Sequence, residues 1–155
     1  MNGFKRIYNL SNFGVTANQT FLAGQYSRVG QVTVPAQQEV TFGANDATGG
    51  ASVSGSTVYL NLIDDSADEI DGTVRFVLAN ANETRREVVL EERTEKLRAS
   101  QYDRTQAVLL PEQPLRAKED SKLIIEIQVD GSSSVTFDYD ATNSKALIPV
   151  TVYQG

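Results

Sequence analysis

The sequence has no cysteine, no histidine and no tryptophan, and its 155 residues include only 4 prolines. Without cysteine there are no disulfides, no thiolate metal ligands and no thiol nucleophile, so stability has to come from packing and strand pairing. Without histidine the chain lacks the side chain that most often moves protons near neutral pH and most often ligates transition metals through nitrogen. No Gly-rich phosphate loop, metal-ligand spacing or activated nucleophile stands in their place. The expectation is a protein that is not an enzyme and uses no cofactor.

Other absences narrow the partners. No apolar run approaches the roughly 18 residues that can span a bilayer, and Met1 to Leu10 lacks the uninterrupted apolar stretch of a signal peptide. Neither a membrane nor an export segment is expected. The net charge is −6 and the pI about 4.6. Arg85, Arg86, Arg93, Lys96 and Arg98 are interleaved with Glu83, Glu87, Glu91, Glu92 and Glu95, so no basic face is left for a polyanion. Nucleic acid is not an expected partner.

What is present is ordinary globular material, 40% hydrophobic and 22% charged, of a length that suits one domain. Alternation of period two marks the strands. Val58, Leu60 and Leu62 alternate with polar residues from Thr57 to Ile63. Val74, Phe76 and Leu78 do so in Gly72 to Ala79, and Leu123, Ile125, Ile127 and Val129 in Lys122 to Val129. A turn at Asp130-Gly131-Ser132-Ser133 reads as a hairpin joining that last run to Val135 to Tyr139. Ala146 to Tyr153 closes the chain, with Pro149 placing it at an edge or a bulge. Shorter runs lie at Lys5 to Tyr8, Gln31 to Val34, Glu39 to Phe42, Glu87 to Glu91 and Ala107 to Leu110. One short helix, Thr94 to Gln101, is expected as a connector with Thr94 as its N-cap.

The fold class is therefore all-β, a β-sandwich or jelly-roll-like barrel of about eight to ten short strands. Three stretches divide it: an N-terminal arm with first strands (1–43), a Gly/Ser-rich loop (44–56) and a sandwich body (57–155). From Ile7 to Gln38 the only charged side chain is Arg28. That composition suits an arm lying in a partner's groove, or equally a first pair of strands with polar loops.

The candidate chemistry is sparse. Asp64, Asp65, Asp68, Glu69 and Asp71 crowd one loop, which reads as a solvated acidic turn or as a cation loop through Asp64, Asp65, Asp68 and Asp71. Asp138 and Asp140, two apart on an expected strand, are a pair that glycoside hydrolysis could use, but no tryptophan platform accompanies them. Asn9, Asn18 and Asn82 begin glycosylation sequons. Tyr8, Tyr26, Tyr59, Tyr102, Tyr139 and Tyr153 are candidates for a carbohydrate or partner surface, or for core edges.

The order of parts carries a resemblance. An uncharged N-terminal segment and a Gly/Ser loop precede YLNLIDDSADEIDGTVRFVLANANETRREVVLEERTEKLR, then PEQPLRAKEDSKLIIEIQVD and a closing IPVTVY. From about residue 30 to 155 this resembles the small β-sandwich decoration, or cement, proteins on capsids of head-tailed viruses, in a style similar to those of haloarchaeal viruses. The resemblance implies a homotrimer on the virion exterior, bound to the major capsid protein and stabilising the shell, with no catalytic residues. The alternatives are a carbohydrate- or receptor-binding module of a spike, tail or surface layer, and a jelly-roll capsid protein.

Overall fold

The computed structural model describes residues 3–42, 57–99, 108–109 and 115–154. Its strands, in chain order, are β1 (Gly3–Tyr8), β2 (Gln19–Phe21), β3 (Ser27–Thr33), β4 (Gln38–Phe42), β5 (Thr57–Asn61), β6 (Gly72–Ala79) and β7 (Arg86–Arg93). They continue as β8 (Val108–Leu109), β9 (Leu115–Lys118), β10 (Lys122–Val129), β11 (Val135–Phe137) and β12 (Lys145–Gln154). A 3-10 turn, Leu10–Phe13, follows β1, and the helix α1, Thr94–Ala99, follows β7.

Two sheets face each other. In the first, hydrogen-bonded neighbours run β8-β5-β12-β4-β9, with β1 also paired to β12; in the second they run β3-β10-β6-β7. Register shows that β4 and β5 behave as one interrupted strand. Phe42 lies across from Val150 and Tyr59 across from Leu147, so the pairing line along β12 continues as if residues 43–56 were cut out. Opposite them, Phe42 faces Leu115 and Thr57 faces Leu109, so β9 and β8 are likewise one line with residues 110–114 cut out. Successive strands cross between the two sheets, and only β6 and β7 are consecutive neighbours in one sheet. This is the all-β, jelly-roll-like fold that the alternating runs imply.

The core lies between the sheets. β6 supplies Val74 and Phe76, β10 supplies Leu123, Ile125, Ile127 and Val129, and β12 supplies Ala146, Ile148, Val150 and Val152. Each fully buried large side chain contributes roughly 1.5–3 kcal/mol by leaving water. The small pair β2–β11 closes one end, where the Phe21 and Phe137 rings stack at 5.4 Å. Next to it the 3-10 turn lies against β3 at Gly30, where any Cβ would run into the Phe13 carbonyl oxygen. Gly14 ends that turn at φ +75°, in the left-handed region that favours glycine.

Four expectations need correction. The DG turn makes no hairpin, because both edges of β10 are already taken by β3 and β6, and β11 pairs with β2 instead. β12 is an inner strand, and Pro149 falls in the gap between the β5 and β4 ladders, where a missing N–H costs little. The helix is more than a connector: Leu97 is fully buried in the main core. Thr94 opens that helix, and its Oγ1 accepts from the Gly72 amide at 3.0 Å, so the side chain serves the start of β6. The N-terminal stretch Gly3–Phe42 supplies strands to both sheets. The loop 44–56 lies outside the described residues.

Candidate functional site

The acidic loop is organised by its own backbone. Asp64 Oδ1 accepts from the Ser66 and Asp68 amides, each at 2.9 Å, and Ala67 is held at φ +65°. Arg98 of α1 ties down the far side, pairing with Asp71 at 2.7 Å and Glu69 at 2.9 Å and donating to the Ile70 carbonyl. Asp65 and Asp68 point to solvent. Among the described residues no three carboxylates are grouped to hold a metal ion.

Asp138 and Asp140 do not share a strand face. β11 ends at Phe137, and Asp138 Oδ1 accepts from the Asp140 amide at 3.1 Å in a local turn. The sequon asparagines are also engaged locally. Asn9 caps the 3-10 turn, Asn18 Oδ1 accepts from the Tyr139 amide, and Asn82 Oδ1 accepts from Thr84. Among the described residues the tyrosines do not form one exposed surface. Tyr8 and Tyr59 are buried, Tyr26 lies 3.8 Å under the Arg75 guanidinium, and Tyr102 is outside the described residues. Burial, with Glu91 adding to it, raises the Tyr26 phenol above its ordinary value. Tyr139 is exposed on the rim of a shallow cleft of about 280 Å³ between the 3-10 turn and the loop before β12.

Two surfaces that period-two patterning does not single out are more distinctive. One is the outer face of the second sheet. Ile124, Val77 and Ala79 point away from the main core yet are buried, forming a small apolar patch of their own. Glu126, also outward and buried, binds Arg75 at 2.7 Å and Arg86 at 2.8 Å. Glu83, from the loop between β6 and β7, reaches across to Arg28 and to Lys122, and these partners hold its carboxyl down at about 2. The result is a charged canopy over an apolar patch, with its charges satisfied internally.

The other surface is β1. It pairs with β12 along one side, leaving the opposite edge open among the described residues. Phe4 is 47% and Ile7 50% exposed. Lys5 and Arg6 have no ion-pair partner among the described residues; Arg6 only overhangs the Tyr8 ring at 5.4 Å. An open edge of this kind is a place for another chain to pair.

No family model matches the sequence, and no curated protein matches it. Solved structures do. The fold is similar to the VP16-VP17 complex, a complex of the two major capsid proteins of bacteriophage P23-77, with a TM-score of 0.66 and 10% identity over 100% of both chains. It is also similar to VP17, a capsid protein of the same bacteriophage, with a TM-score of 0.67 and 11% identity over 99% of this chain and 96% of that one.

Proposed function

We propose that this chain is a structural protein of a virion, a jelly roll that holds capsid chains together and carries out no reaction. The observation that carries this reading is the match of the fold to capsid proteins over 100% of both chains. The satisfied outer face and the open β1 edge support it, since a rigid body with a pairing edge suits assembly. The neighbouring complex of two capsid proteins supports other capsid chains as partners here.

Two placements are in play. As a shell subunit the chain is itself part of the icosahedral wall, which the coverage of proteins named as major capsid proteins favours. As a decoration protein it sits as a homotrimer on the exterior, bound to the major capsid protein, which the order of parts in the sequence favours. Electron microscopy and quantitative mass spectrometry of purified particles that carry the chain distinguish them. Conditions that release a shell subunit dissolve the shell, whereas release of a decoration protein leaves it intact. Absence of the chain from purified particles would overturn the virion reading altogether.

A further inference from the structure

We infer that β1 of one copy pairs with β7 of a second copy, joining the first sheet of one molecule to the second sheet of the next. Like β1, β7 is paired on one side only among the described residues. Among the described residues, three of the five exposed large hydrophobic side chains, Phe4, Ile7 and Val88, sit on these two strands. The charges are complementary. β1 carries Lys5 and Arg6, and β7 carries Glu87, Glu91 and Glu92 beside Arg86 and Arg93, whose charges are already paired with Glu126 and with Glu95 and Asp130.

In the midpoint register the same charges oppose self-pairing of either strand. Two β1 strands paired antiparallel about their midpoint set Lys5 against Arg6, and two β7 strands set Glu87 against Glu92. One β1 against one β7, antiparallel, sets Lys5 across from Glu92, Arg6 across from Glu91 and Ile7 across from Leu90. The existing ion-pair partner of Glu92 is Lys96 at 3.8 Å, a partly exposed pair worth little; Glu92 also accepts from the Arg93 amide, and Glu91 is hydrogen-bonded to the Tyr26 phenol. The other open edges fit less well. Arg28 of β3 is held by Glu83, and β9 has four residues, with Arg116 next to Glu39.

A contact between unlike surfaces propagates into a ring or an array, as a shell needs. That setting rests on the virion reading; the contact itself does not. Sedimentation velocity over a concentration series tests it. The wild-type chain should associate, more tightly at low salt than at high salt. Lys5→Glu with Arg6→Glu, or Glu91→Lys with Glu92→Lys, should each weaken association at least about tenfold. An equimolar mixture of the two double variants should restore it, because the β1 of each variant then matches the β7 of the other. Hydrogen exchange on the unmutated chain covers the case of a variant that fails to fold: amides in Gly3–Tyr8 and Arg86–Arg93 should slow together as concentration rises.

A monomeric wild type, unaffected variants, no restoration on mixing or no joint slowing each overturns the contact. A chain present in particles that fails these tests keeps the virion reading and loses this contact. One that associates yet is absent from particles does the reverse.

Discussion

The outer face of the second sheet and the edge strand β1 are both charged, and they use charge in opposite ways. On the sheet face, Glu126 and Glu83 are acceptors for four basic side chains, and Ile124 and Val77 on the same face are fully buried. On β1, Lys5 and Arg6 stand among half-exposed apolar side chains with no acid opposite them among the described residues. Charge on the sheet face is satisfied within the fold, whereas the charge on β1 has no counter-charge among the described residues.

The largest effect should come from breaking the satisfied face. Glu126→Ala leaves Arg75 and Arg86 facing each other over an apolar patch. Because the two guanidinium groups are partly exposed, the cost is about 2–4 kcal/mol, reduced from the roughly 3–5 kcal/mol of a fully buried pair. Lys5→Ala and Arg6→Ala should each change stability by no more than about 0.5 kcal/mol. Urea unfolding of the three variants measures the contrast, and equal costs would erase it. A second probe goes under the canopy: Val77→Thr puts a hydroxyl into a position only 1% exposed and should cost about 1–3 kcal/mol.

Acid titration sharpens the comparison further. The Glu83 carboxyl lies at about 2 in the folded chain against an ordinary value of 4.5, held down first by Arg28, with Lys122 adding to it. A depressed carboxyl stabilises the fold fully above the unfolded value and loses that contribution as pH falls through the folded one. Wild type should therefore be insensitive to this group above pH 4.5 and lose stability between pH 4.5 and about 2. Glu83→Gln should be the less stable chain at neutral pH, with the gap closing over that interval. Glu95 and Asp130 are also depressed, both through Arg93, so some acid sensitivity stays in the variant. A gap that stays constant down to pH 2 would show that Glu83 works by shape alone.

Much of the body was readable because a strand with one buried face writes its alternation locally. Leu123, Ile125, Ile127 and Val129 are inward as that pattern requires. Glu126 escaped, because one acid within an alternating run looks like any solvent-facing residue. The arginines that hold it stand 51 and 40 positions away. The missing hairpin after β10 and the inner position of β12 escaped for the same reason: which strands flank a given one is decided by the whole topology. The acidic loop was conspicuous in the sequence, yet most of its acids are accounted for by backbone amides and Arg98. The β1 edge was hidden, since exposure of Phe4 and Ile7 depends on what the rest of the chain fails to cover.

The smallest effect is the most telling for β1. Ile7→Thr replaces a β-branched side chain with another that suits a strand, at a position already half in water, so folding stability should move by less than about 0.5 kcal/mol. Its counterpart at Val77 makes a similar exchange on an outward-facing position and should cost several times more, the difference being the canopy. If Ile7→Thr leaves stability unchanged while weakening association, the apolar surface of β1 belongs to the contact with a neighbouring chain. If it costs as much as Val77→Thr, β1 is part of the finished body, and the distinction between the two regions fails.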